Sequence, residues 1–102
     1  METSSPTVLK METTFSPLNS DIRVVTQPEG LVLLHVRNGM FYRANHVGTR
    51  IWEKLMTGIC LNEVVKQIAG EFGVPLTTVA PDVFEFVNSL LTEGFLRLED
   101  HQ

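Results

Sequence analysis

The stretch LVLLHVRNGMFYRANHVGTRIWEKLMTG, residues 31–58, decides the fold, because two strands, a hairpin turn and a helix are read from it in succession. Leu31–Arg37 is rich in Leu and Val and reads as a strand. Asn38-Gly39 is the two-residue signal of a type I′ turn, in which both central residues need positive φ, and it leads into a second strand at Met40–Arg43. Asn45 then offers a cap for a helix whose apolar residues Val47, Ile51, Trp52 and Leu55 fall on one face, and Gly58 supplies the stop. Upstream, the β-branched run Ile22–Thr26 and the turn cluster Pro28-Glu29-Gly30 add a strand in front, giving a three-stranded antiparallel meander. Downstream, Asn62 is the expected cap of a second helix, with Val64, Val65, Ile68 and Phe72 on one face and Gly73 and Pro75 ending it. Thr77 or Thr78 opens a third helix that takes Pro81 in its first turn, holds Asp82 near the positive end of the dipole and runs through Leu91 to a Gly94 C-cap. Phe95–Leu98 reads either as a brief closing strand or as a segment that simply packs down. Strands followed by helices indicate an α+β fold, here winged helix-turn-helix-like.

The whole chain has 102 residues, 43% hydrophobic and 20% charged, which suits one small domain with a single core. Residues 1–20 contain eight Ser/Thr and two Pro without apolar periodicity, and read as a flexible N-terminal tail. The domain itself is expected over residues 21–98, with residues 99–102 as a C-terminal tail. The net charge of −4 speaks against nucleic-acid binding, and the single Cys excludes an internal disulfide. No run of roughly 18 apolar residues and no signal-peptide pattern appears, so the expectation is a cytoplasmic protein with no membrane partner.

The inventory of reactive groups is thin. The three histidines, His35, His46 and His101, share no metal-ligand spacing, so no metal site is expected. Cys60 lies in the short link between two helices beside Ile59 and Leu61, where a half-buried structural thiol is the simple reading and a nucleophile in a minor enzyme subunit is the rival. Glycines stand singly at turns and caps, with neither a phosphate loop nor a dinucleotide fingerprint. Asp82 and Glu85 share a helix face, where a helix-start acid and a solvated face are the simple readings over acid/base catalysis. Catalytic residues and cofactors are therefore both read as none.

Two features carry more. Residues 21–57 hold a charge of +2 and residues 58–102 a charge of −5. In a winged helix the third helix is the one that enters the DNA major groove, yet Thr77–Gly94 contains no Lys or Arg and three acids, Asp82, Glu85 and Glu93. A winged-helix transcription regulator is disfavoured on that ground. The same helix carries Val83, Phe84, Phe86, Val87, Leu90 and Leu91, an apolar surface wider than one ordinary stripe, and is read either as all core or as core plus a groove. Beside it, Met40–Arg43 is expected at the sheet edge, where open N–H and C=O groups can accept an extended peptide as a further strand.

The order and spacing of Gly39-Met-Phe-Tyr-Arg-Ala-Asn45, Val47-Gly48, Ile51-Trp52-Glu53-Lys54-Leu55, Gly58, Glu63-Val64-Val65, Asp82-Val83, Phe86, Leu90 and Gly94-Phe95-Leu96 resemble the PqqD-like family, the precursor-peptide recognition elements (RREs) of ribosomal peptide natural-product (RiPP) pathways. The likeness runs from about Ile22 to Leu98 and is nearest to the stand-alone leader-binding proteins of lasso-peptide biosynthesis. The resemblance implies a small domain that binds the leader of a precursor peptide without catalysing anything. It presents that leader to a partner leader peptidase and a cyclase. It further implies that the leader adds antiparallel to the third strand and lies between that strand and the third helix.

Carried over by position, the resemblance points to Met40, Phe41, Tyr42 and Arg43 on the strand and to Val83, Phe86, Val87 and Leu90 on the helix. Strand alternation separates Met40 and Tyr42 from Phe41 and Arg43, leaving open which pair faces the groove. Arg37 and Arg43 either meet leader carboxylates or guard the edge, and Asp82 either caps its helix or meets a basic leader residue. Trp52 reads as core. The pattern Thr3-x-x-Pro6-x-Val8 in the tail is a weak echo of the aromatic, Pro, Leu spacing that lasso leaders often show. Within the family, the alternative is a peptide chaperone of pyrroloquinoline quinone biosynthesis.

Overall fold

The computed structural model describes residues 14–17 and 21–99. In chain order these form β1 (Thr14–Pro17), β2 (Ile22–Gln27), β3 (Gly30–His35), β4 (Phe41–Ala44), α1 (His46–Met56), α2 (Leu61–Phe72), α3 (Leu76–Glu93) and β5 (Leu96–Glu99). The expected meander is present: β3 lies between β2 and β4, both pairings antiparallel, with the three helices following. The fold is α+β, as read from the sequence.

Alternation along β3 sets the two faces of the sheet. Leu31, Leu33 and His35 are buried, while Val32 and Leu34 on the opposite face are half-buried. Leu31 and Leu33 join Trp52 and Leu55 of α1, Leu61, Val64 and Ile68 of α2, and Val83, Val87 and Leu90 of α3 in one core. Each of these large apolar side chains stabilises the fold by about 1.5–3 kcal/mol on burial. Trp52 is core, as expected, at 3% exposure. Cys60 is a half-buried free thiol at the N-cap of α2.

Local chemistry departs from the sequence reading at four places. The turn before β4 is not type I′, since no non-glycine residue has positive φ. Instead His35 N–H donates to Met40 O at 2.8 Å, Gly39 N–H donates to His35 O at 2.9 Å, and Gly39 alone takes the left-handed conformation at φ 75°. The longer loop moves the start of the strand from Met40 to Phe41. Second, α2 begins at Leu61, so Asn62 lies inside it and does not cap it. Third, α3 begins at Leu76 behind Pro75, whose carbonyl accepts from Thr78 and Val79. Pro81 is consequently in the second turn, where its missing N–H costs one helical hydrogen bond, and Asp82 is too far along to cap.

The fourth departure is β1. Thr14–Pro17, assigned to the flexible tail from sequence, pairs antiparallel with β5, matching Phe15 with Leu98 and Pro17 with Leu96. Phe15 is 3% exposed and belongs to the core, so the tail assignment is corrected for these four residues. The closing strand is present and extends to Glu99, one residue past the expected boundary. The remainder of the N-terminal tail, including the Thr3, Pro6 and Val8 pattern, and residues 100–102 lie outside the described residues.

α1 and α2 are held together by charge as well as packing. Arg50 donates through Nε to Glu71 Oε1 at 3.1 Å and through a terminal nitrogen to Oε2 at 2.7 Å, and it also pairs with Glu53. Lys54 Nζ lies 2.6 Å from Glu71 Oε2. These hydrogen bonds, first from Arg50 and then from Lys54, hold the Glu71 carboxyl at a pKa of about 2, and Glu71 in turn raises that of Arg50. No helix among the described residues is long and apolar enough to cross a membrane.

Candidate functional site

β4 is a sheet edge: β3 pairs with one side of it and no described strand with the other. The register determines which of its groups are open. His35 N–H bonds Met40 O, which makes that pair a hydrogen-bonded one; pairs alternate along an antiparallel ladder, so Tyr42 with Leu33 and Ala44 with Leu31 are bonded too. The N–H and C=O groups of Phe41 and Arg43 therefore point away from β3, toward the open edge.

The side chains alternate the other way. Tyr42 turns toward α3, its ring edge-on to Phe86 at 5.9 Å and to Phe95 at 6.1 Å. Phe41 and Arg43 are exposed on the outer face, bordering a shallow depression shared with Val25, Val32 and Leu34. Of the two faces of β4, the one that carries Tyr42 is turned toward α3. Met40 shares its parity, just ahead of the strand, and is 47% exposed.

Between the first turns of α1 and the facing side of α3, with Tyr42 of β4 joining its lining, lies an open cleft of about 430 Å³. Tyr42, Asn45, Val47, Gly48 and Ile51 form one side, and Asp82, Glu85, Phe86 and Ser89 of α3 form the other. Asn45 caps α1, its side-chain oxygen accepting from Gly48 N–H at 2.8 Å, and this fixes the first turn of α1 at the cleft floor. Residues 82, 85, 86 and 89 recur at i, i+3, i+4 and i+7, one stripe of a helix. The floor is apolar and aromatic; the α3 rim carries two carboxylates.

This placement divides the expected site residues. Phe86 is half-buried and forms the cleft wall, and Asp82 is exposed on its rim. Val83, Val87 and Leu90 have no exposed surface. Their expected place in the groove is corrected: they sit on the adjacent stripe of α3, facing the core. Arg37 is away from the cleft in the turn before β4, with Nε donating to Asp21 at 3.0 Å. Among residues not foreseen, Glu85 and Ser89 were legible from their i+3 and i+7 spacing to Asp82. Gly48 had a quieter signal, a glycine inside a helix with no turn to make. Among the described residues no group of three or more His, Cys, Asp or Glu is placed to hold a metal ion.

Residues 30–96, well over half of the chain and spanning β3 to the first residue of β5, match the model of a family described as coenzyme PQQ synthesis protein D (PqqD). The chain belongs to the PqqD family. Two solved structures of similar fold carry bound peptides. One is a lasso peptide synthetase B1 complexed with the leader peptide, 26% identical, with a TM-score of 0.73 over 84% of this chain and 98% of that one. The other is TbiB1 in complex with the TbiA(beta) leader peptide, 28% identical, with a TM-score of 0.72 over 85% and 99%. No curated protein sequence matches significantly. As a PqqD-family member the chain is thus similar over more than four fifths of its length to a lasso peptide synthetase B1 and to TbiB1, each in complex with a leader peptide, in line with the sequence resemblance.

Proposed function

We propose that this chain is a non-catalytic adaptor that binds the leader region of a ribosomally synthesised precursor peptide, a lasso-peptide precursor, and delivers it to a partner leader peptidase and a cyclase. The observation that carries this reading is the open edge of β4 lying beside a cleft that Tyr42, Ile51 and Phe86 help to line, in a fold that two leader-bound B1 proteins share. The leader adds as a strand to β4. The main chains of Phe41 and Arg43 supply its hydrogen bonds, and leader side chains of alternate parity enter the cleft between Tyr42 and Phe86. Met40 extends this contact at the open end, and Asp82 with Glu85 meets a basic residue of the leader. Val83, Val87 and Leu90 support the wall from behind. A few apolar anchors then supply most of the affinity, and no cofactor is required.

The test is a fluorescence titration with the labelled leader of the precursor encoded beside this chain. Saturable binding by the wild type that Phe86→Ala weakens more than about tenfold, with folding retained, is the expected result. Absence of binding by folded wild type up to high micromolar leader overturns leader recognition for that precursor. Delivery is tested separately, by precursor cleavage with the partner peptidase: cleavage must depend on this chain, and equal cleavage without it removes the adaptor role.

A further inference from the structure

Gly48 is the third residue of α1, at the point where α1, β4 and α3 meet. Its backbone makes no demand for glycine: it lies within the helix and is not among the glycines of positive φ. Glycine weakens a helix relative to alanine, so its reason must lie outside the helix. That reason is space. A Cβ on residue 48 would stand 3.0 Å from Phe86 Cε1, 3.4 Å from Phe86 Cζ and 3.1 Å from Ala44 Cβ.

The two neighbours differ in freedom. Ala44 is fixed in β4 by its pairing with Leu31. Phe86 is only half-buried, and its ring borders the open cleft. When a methyl group presses on both, the ring yields more, and the space open to it is the cleft itself. The ring now lies back on the bare backbone of α1, edge-on to Tyr42, and the floor beside it is closed by Ile51, which is 2% exposed.

We infer that Gly48 is a specificity-determining residue of the cleft: by lacking a side chain it lets Phe86 lie against α1, and the depth so created admits one bulky apolar side chain of the bound peptide. The inference rests on the peptide-binding reading above and adds to it the residue that sets the size of the slot. The side chain admitted is of the Leu, Ile, Met or aromatic class, since Tyr42, Ile51 and Phe86 offer it ring and methyl surface and no charged partner at that depth. It projects from a strand position of the parity that faces Tyr42.

The experiment compares wild type, Gly48→Ala and Gly48→Ala/Phe86→Leu against the labelled leader and against leaders in which each bulky apolar residue is truncated in turn to Ala. One methylene in an apolar pocket changes binding by roughly 10–200-fold, so folded Gly48→Ala should bind the full leader at least about tenfold more weakly. The truncation most costly for wild type should cost Gly48→Ala little, because the slot is already closed; this coupling is a readout that a merely structural role would not move. Phe86→Leu in the second variant should restore both the affinity and the sensitivity to that truncation, and it carries the test if Gly48→Ala alone folds poorly. Folded Gly48→Ala with wild-type affinity, or equal sensitivity to every truncation in both proteins, overturns the inference while leaving leader binding intact. A folded wild type that binds no leader overturns both.

Discussion

Two stripes of α3 lie about 100° apart around the helix axis and contrast in every physical respect. Val83, Val87 and Leu90 have no exposed surface and lie in the core. Asp82, Glu85, Phe86 and Ser89 line a cleft and mix carboxylates with one half-buried ring. The first stripe holds the helix on the domain, while of the second only Phe86 packs against the core, so its other residues are freer to vary their chemistry. One helix can thus be both scaffold and recognition wall, provided the two tasks fall on different residues.

Substitutions on the two stripes should separate stability from binding. The largest effect belongs to Leu90→Ala, which should lose about 2–5 kcal/mol in urea denaturation by deleting core contacts, while the folded fraction binds leader with wild-type affinity. A selective loss of affinity without that destabilisation would erase the distinction between the stripes. Phe86→Ala should reverse the order, costing leader binding about 2 kcal/mol and stability less than Leu90→Ala, as titration and urea melts will show. Asp82→Lys should leave stability within about 0.5 kcal/mol of wild type, as an exposed substitution does. It should weaken a leader with a basic residue at the facing position, and a Lys→Glu leader should recover that affinity. Indifference to both charges would remove Asp82 from the recognition wall.

The smallest effect lies outside α3, in the cluster that joins α1 to α2. The Glu71 carboxyl is held at about 2 by Arg50 and Lys54, below its value in the unfolded chain. Its contribution to stability is therefore complete above the unfolded carboxylate range and is lost as the pH falls toward 2. Thermal melts of wild type and Glu71→Gln should differ slightly at pH 6 and converge near pH 2, with leader affinity the same in both at pH 6. A difference that grows on acidification would contradict the pairing.

Much of this division was legible in the residues and part of it was not. The β2–β4 meander, three helices and the Gly73 and Gly94 stops follow from patterning and turn chemistry, and the Trp52 core from its helical spacing. β1 escaped because four residues among Ser, Thr and Pro have no periodicity, and Phe15 finds its partners only through β5 at the far end of the chain. The cleft stripe of α3 was read only in part, through Asp82 and Phe86, for a related reason: hydrophobicity singles out what is buried, and Val83, Val87 and Leu90 were chosen beside them for a surface that a mixed stripe forms. Gly48 was visible as a residue but not as a gap, since its meaning depends on where Phe86 lies.

The most direct test of strand addition at β4 is amide hydrogen exchange on the wild-type protein, free and saturated with leader. Phe41 and Arg43 N–H groups face the open edge and should exchange fast in the free protein and slow strongly in the complex. Tyr42 N–H, already bonded to Leu33, should change little. Phe41 and Arg43 amides that stay fast in the saturated complex, with protection appearing along β2 instead, would contradict strand addition at β4.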